Sequence, residues 1–286
     1  MIKDAVARIS FVFVLLLTLA ACSSCVSVSQ LFGEGNLFRE KRRSFIKINT
    51  LTNISIIRTS STTPDKVIED YRIELSSSAS GVIVGHYNDI TLVATSAHVC
   101  SMRFGRQLNH FIPEYKDGDP NWHFMERPFF VLRDLNGKKS IGVVVKLDYQ
   151  SDLCMMISRK ISMPAINISK HEPVIGEKYY NIAAPKGIWA PKVVPLLEGR
   201  FLGNVKSPFT GEHSYMFSIP ASGGSSGSPI INVYGSMVGL LHSAYESFEH
   251  ISMAATNNQL EKLLASSYTK IKKKYELYKV ILSLNI

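Results

Sequence analysis

The sequence predicts an all-β body followed by one C-terminal helix, and three observations carry that prediction. From residue 45 to about 255, short runs rich in Val, Ile, Tyr and Phe are broken by Gly, Pro, Asn and Ser. Runs of that length and composition read as strands. Helical periodicity is nearly absent before Asn257; beyond it Leu260, Leu263, Leu264, Ile271, Tyr275 and Tyr278 recur at spacings near three and four, behind an Asn cap.

In chain order, the predicted strands include Gly81–Gly85, Thr91–Ala94, Phe129–Leu132, Gly142–Val145, Asp152–Ile157, Met216–Ser218 and Met237–Leu241. Turn signals separate them at Tyr87-Asn-Asp89, Asp134-Leu-Asn-Gly137 and Pro185-Lys-Gly187. The stretch from Ser101 to Arg127 has no pattern and contains Pro113, Gly118 and Pro120, so it reads as a long surface loop. Residues 256–286 are expected to form a single helix with a basic second half.

The N-terminus reads as an export signal. Lys3 and Arg8 precede an apolar run from Phe11 to Ala21, shorter than the ~20 residues a bilayer span needs. Residues 1–21 are therefore a signal peptide. Its end, Leu19-Ala20-Ala21-Cys22, resembles the lipobox of bacterial lipoproteins, which implies lipid on the Cys22 thiol and a place in the bacterial cell envelope, periplasmic or on the outer surface. A plain cleaved signal without lipid is the alternative. Residues 22–44, rich in Ser, Gly and charge, would be the tether.

The chain is 45% apolar, which excludes a disordered protein, and its net charge of +9 is spread along the length. The only dense basic tracts are Arg39–Arg43 and Lys270–Lys274. Neither carries interleaved aromatics or a nucleic-acid motif, so no nucleic-acid partner is expected. These tracts read as solvated faces, with contact to anionic lipid as the alternative. Eight His lie scattered without metal-ligand spacing, so neither metal nor cofactor is expected. Nothing in the sequence speaks to oligomeric state.

The chemistry is carried by Ala221-Ser-Gly-Gly-Ser-Ser-Gly-Ser-Pro229. Three glycines and a proline in nine residues place backbone groups where side chains would obstruct them. Acyl transfer needs a hydroxyl nucleophile beside backbone N–H groups aimed at the developing oxyanion. Gly224-Ser225-Ser226-Gly227-Ser228-Pro229 closely resembles the nucleophile signature of chymotrypsin-like serine peptidases. Upstream, Thr91-Leu-Val-Ala-Thr-Ser-Ala-His98-Val resembles the segment of that family carrying the general base, and Tyr149-Gln-Ser-Asp152-Leu-Cys-Met-Met156 the segment supplying the orienting carboxylate. The order His, Asp, Ser is the family's order. Ser80-Gly-Val-Ile-Val84, Ala184-Pro-Lys-Gly187, Glu198-Gly199 and Val238-Gly-Leu-Leu241 add family-like text, and the nearer resemblance is to bacterial HtrA-like and glutamyl-endopeptidase-like members.

The resemblance implies two six-stranded antiparallel β-barrels, residues 45–160 with His98 and Asp152 and residues 161–255 with Ser226, followed by the helix. It implies Ser226 as nucleophile, His98 as base, Asp152 as its orienter, and the N–H groups of Gly224 and Ser226 as oxyanion hole. The substrate is then a peptide or protein. Asp148 is the rival carboxylate. A silent, substrate-binding relative on a lipid anchor is the alternative function. An α/β-hydrolase with Ser225 in Gly223-Gly-Ser225-Ser-Gly227 fails, because no Asp follows Ser225 and helices do not alternate with strands.

Departures from the family pattern matter too. Ser225 stands where zymogen-activated members carry an Asp, so no charge-pair activation switch is expected. Pro220 stands at the pocket floor, which excludes a trypsin-like basic preference. Gly239-Leu-Leu-His242-Ser243-Ala244 resembles the Gly-x-His segment by which some members read Glu or Gln, so Pro220, Ala221, His242, Ser243 and Ala244 are the candidate substrate pocket. Small apolar side chains are the alternative preference, and a buried His242 bonded to the backbone is the plain structural one. Cys100 and Cys154 each follow a triad candidate by two residues. They are expected as buried thiols, with a disulfide as the alternative, since spacing alone says nothing of Cβ geometry.

Overall fold

A computed structural model describes residues 38–63, 66–101, 112, 119–159, 161–206, 211–245 and 248–284. The signal peptide, Cys22, Cys25 and most of the 22–44 tether lie outside the described residues, as do 102–111 and 113–118 of the expected loop. Residues Lys41–Ile286 make one unit. Within it the last part of the expected tether is already folded, Arg42–Ser44 forming a 3-10 turn with Ser44 buried.

Strands β1 (Phe45–Thr59), β2 (Val67–Tyr87), β3 (Ile90–Ser96), β4 (Trp122–Arg133), β5 (Lys139–Asp148) and β6 (Leu153–Arg159) close one barrel in the order β1-β2-β3-β6-β5-β4. Strands β7 (Lys178–Ile182), β8 (Leu196–Lys206), β9 (His213–Phe217), β10 (Pro229–Ile231), β11 (Met237–Tyr245) and β12 (Phe248–Thr256) close a second in the order β10-β11-β12-β9-β8-β7. Closure leaves each barrel without a free edge where its strands pair around the ring. The first is filled by Ile46, Ile48, Ile83, Val93, Leu132 and Met156. The second is filled largely by aromatic rings, Tyr179, Phe201, Tyr215 and Phe217, with Phe201 and Phe217 centroids 5.2 Å apart.

Three expectations are corrected. The strand β4 begins at Trp122, so the loop does not run to Arg127. There β1, β2 and β4 outgrow the barrel as a three-stranded arm with its own small core of Ile54, Ile56, Ile112 and Trp122. The C-terminal segment is two helices, α1 (Asn257–Lys273) and α2 (Tyr275–Leu284), because Lys274 leaves the helical conformation at φ −122°. Finally, Cys100 and Cys154 are joined by a disulfide.

Helix α1 starts with a capping box in which Thr256 and Gln259 bond each other's backbone N–H. It packs against β11 and β12 of the second barrel and against β5 and β6 of the first, and α2 continues along the first. Lys270 Nζ donates to Val145 O at 2.6 Å, Tyr268 Oη to His86 O at 3.1 Å, and Tyr275 Oη to Asp89 Oδ1 at 2.7 Å. No described helix is long and apolar enough to cross a membrane.

Candidate active site

The strand β3 ends at Ser96 and passes into a single helical turn, Ala97–Cys100, which presents His98. The ring is half exposed, 50% for the side chain. On the neighbouring strand β6 the preceding turn holds Asp152 in the left-handed region at φ 49°, a conformation Asp tolerates better than most residues. Three hydrogen bonds lock the two segments. Asp152 O accepts from Ala97 N at 3.1 Å, its Oδ1 from His98 N at 3.0 Å, and its Oδ2 faces His98 Nδ1 at 2.7 Å. A carboxylate on Nδ1 makes that nitrogen the donor and leaves Nε2 as a proton acceptor.

The rival Asp148 is otherwise occupied. Its Oδ1 caps the turn ahead of Asp152, accepting from Gln150 N at 3.1 Å and Ser151 N at 3.3 Å.

The disulfide reinforces the same junction. Cys100 and Cys154 lie two residues beyond His98 and Asp152, and both are buried, at 3% and 0% exposure. The bond ties β6 to the helical turn on the core side while the His98–Asp152 pair ties them on the exposed side.

The Gly-rich loop is pinned against this seam from both barrels. Ser80 N donates to Ser226 O at 2.9 Å and Ser80 Oγ to Gly224 O at 2.8 Å. From the second barrel, Gly227 N donates to Leu241 O at 2.7 Å, while Ser96 Oγ reaches the same carbonyl at 3.2 Å. Gly227, at φ 84°, has no room for a side chain: a Cβ there would stand 2.1 Å from Thr95 Oγ1 and 2.2 Å from Ser80 O. Ser226 is therefore carried next to the end of β3, the strand that leads into His98, and its side chain is partly exposed.

The loop's backbone dipoles are ordered. Gly223 O accepts from Lys186 N at 2.6 Å. In a planar trans peptide the N–H of the next residue points the opposite way, so Gly224 N is turned away from that contact. Gly224 itself sits at φ 96° against Ala184 O, with 2.5 Å to a would-be Cβ. Ser225 N and Gly227 N are spent on Ser222 O and Leu241 O, whereas the N–H groups of Gly224 and Ser226 have no acceptor among the described residues. Ser225 is wholly buried, its Oγ accepting from Ser222 N at 3.4 Å, which closes it to any role as nucleophile. Its loop is braced by its own hydrogen bonds and needs no charged partner.

Next to the loop, β11 bulges between Leu241 and Ser243, so that His242 is the extra residue. The ring is half-buried, with Nδ1 3.0 Å from Ser243 Oγ and Nε2 3.4 Å from Ser214 Oγ. Its partners are hydroxyls, not the backbone that the plain structural alternative expected. Burial pushes its pKa below the usual histidine range, with Asp152 pulling the other way and His98 adding to the depression. Pro220, Ala221, Ser243 and Ala244 are partly buried nearby in sequence, and Ala221 packs against the second core. Among the described residues no cluster of three or more His, Cys, Asp or Glu could hold a metal ion.

Sequence reasoning missed what Ser80 does. In the sequence it is only the first residue of the family-like Ser80–Val84 segment, yet its two hydrogen bonds and the one it accepts from Ala184 N at 3.1 Å join the loop, the first barrel and the 184–187 turn.

The family model for the trypsin-like peptidase domain matches residues 79–240. A search of curated proteins finds no match. Among solved structures, a serine endoprotease from Yersinia pestis is similar at 16% identity and TM-score 0.54, over 82% of this chain and 66% of that one, just under two thirds of its length. Rv3671c from M. tuberculosis H37Rv, in an inactive serine-to-alanine form, is similar at 14% identity and TM-score 0.55, over 82% of this chain and 90% of that one. The active form of that protease gives 15% identity and TM-score 0.54, over 80% and 82%. At such identities the likeness is one of fold, and the fold is the double barrel described above. With over half its length matched by the family model, the chain belongs to the trypsin-like peptidase family.

Proposed function

We propose that the chain is a serine endopeptidase working through an acyl-enzyme on Ser226. The observation that carries this reading is the His98 ring held by Asp152 at 2.7 Å beside a loop whose Gly224 and Ser226 N–H groups are unspent. A serine hydroxyl is a poor nucleophile at neutral pH, so His98 Nε2 takes its proton as Oγ attacks the scissile carbonyl. The proton then passes to the leaving amine, and Asp152 stabilises the imidazolium in between. The two N–H groups meet the oxyanion as it forms. A fluorophosphonate probe should label Ser226, and Ser226→Ala should abolish labelling and lower turnover by a factor on the order of 10⁶. Wild-type protein that takes up no probe would leave only a binding domain.

For specificity, the reading is cleavage after Glu or Gln. His242 is half-buried, its neighbours Ser214 and Ser243 are neutral, and Pro220 brings no acidic group. A neutral imidazole can donate one hydrogen bond to a carboxylate or amide oxygen. Cleavage profiles of wild type and His242→Ala should differ at that position; identical profiles remove His242 from the pocket.

The third element is export to the bacterial envelope and a lipid on Cys22. The Leu19–Cys22 motif supports it, and so does the Cys100–Cys154 disulfide, a bond that persists in oxidising compartments. Radiolabelled fatty acid should enter the wild-type chain and not Cys22→Ser.

A further inference from the structure

Lys47 is the third residue of β1, flanked by Ile46 and Ile48, both fully buried in the first barrel. Alternation turns it to the barrel's outer surface, where lysines are ordinarily solvated. Here it is only 4% exposed. Its Nζ donates to Ser78 Oγ and stands 3.7 Å from the point a Cβ on Gly187 would occupy. Among the described residues no carboxylate pairs with it, and burial alone lowers its pKa. An uncompensated ammonium in such a place is unfavourable for folding, and nothing in the catalytic steps above uses it.

Its position relates it to the reaction. The turn Pro185–Gly187 that covers Lys47 also backs the oxyanion loop, since Lys186 N and Gly187 N lie 3.2 and 3.1 Å from a would-be Cβ on Gly224. Ser78, its hydrogen-bond partner, lies two residues before Ser80, whose N–H holds Ser226 O. The loop therefore has β11 on one flank, through Gly227 N to Leu241 O, and Ser78 with Lys47 on the other. If the acyl half of a substrate lies along His242–Ala244, the leaving half passes over Ser78 and Gly187. Gly187, at φ 75°, puts no side chain over this spot; a Cβ there would stand 3.5 Å from Ser78 Oγ and 3.7 Å from the ammonium.

We propose that Lys47 reads a carboxylate on the leaving-group half of the substrate, either an acidic side chain or a free chain end. This rests on the peptidase reading for its orientation. The test is calorimetric binding of three leaving-half peptides to the full chain: Ala-Glu-Ala amide, Ala-Gln-Ala amide, and Ala-Gln-Ala with a free carboxyl end. Wild type should bind at least one carboxylate-bearing peptide about tenfold or more tightly than the neutral amide, the range expected of a charge-assisted hydrogen bond. The peptide that responds identifies the source of the carboxylate. Lys47→Met and Lys47→Gln, which keep the site filled, should level the three. Equal or absent binding of all three to wild type overturns the proposal, as does a preference that survives in both variants. Calorimetry needs no turnover. Failure of probe labelling therefore counts against the peptidase reading, and failure of carboxylate discrimination counts against Lys47.

Discussion

Replacing both members of the Cys100–Cys154 bond with alanine should cost the fold about 4 kcal/mol. The bond closes a loop of 54 residues. Chain-entropy reasoning assigns such a loop about 14 cal/mol/K of denatured-state entropy, roughly 4 kcal/mol at 25 °C. Both sulfurs are buried in the first core, so truncation adds some lost packing. The assay is urea unfolding of the oxidised wild type and the double variant, followed by fluorescence. With an m-value of about 2–3 kcal/mol/M, the midpoint should fall by roughly 1.3–2 M. The unfolding should affect the first barrel, which the bond serves. A midpoint shift under about 0.5 M, with unchanged slope, would refute the claim that this bond is what fastens the β6 turn to the His98 turn.

Three further outcomes follow from the site. Asp152→Asn keeps a residue that accepts φ 49°, so the variant should fold as wild type; its kcat should drop about 10⁴-fold, because an amide leaves the imidazole in the wrong tautomer. Gly227→Ala brings a Cβ to 2.1 Å from Thr95 Oγ1 at φ 84°; unfolding free energy should fall by on the order of 3 kcal/mol, with probe labelling lost in parallel. Burial holds the His242 pKa below the ordinary histidine value of about 6.5. The stability it contributes is therefore present above pH 6.5 and lost as pH falls through the folded value. Wild-type Tm should drop more steeply than that of His242→Gln as pH falls below the ordinary histidine range, and superimposable curves would contradict a half-buried neutral ring.

The pairing of His98 with Asp152 could be expected from the chain because the candidates sit in segments whose local chemistry is self-announcing. Small residues precede His98, a turn precedes Asp152, and glycines surround Ser226. The barrels were readable for a similar reason, as β-branched runs ended by turn formers. What stayed hidden depends on what lies opposite in space. Two cysteines separated by 54 positions give no hint of their Cβ vectors. The segment Trp122–Arg127 mixes aromatic and charged residues without clean alternation, and it becomes a strand only because β1 extends to pair with it. Lys47 looked like one more lysine of a basic protein until the 184–187 turn was seen to cover it. The break at Lys274 escaped notice because the apolar spacing continues through it.

Helix α1 grows out of β12 yet rests on β5 and β6. The seam it spans is the one at which Ser80 of the first barrel holds the Gly224 and Ser226 carbonyls of the second. During synthesis the base and its carboxylate emerge first, the nucleophile later, and this buckle last. The bonds from Ser80 to Ser226 and Gly224 and from Ser96 to Leu241 join the barrels without it, so the helix is the last fastening on a seam already pinned at its centre.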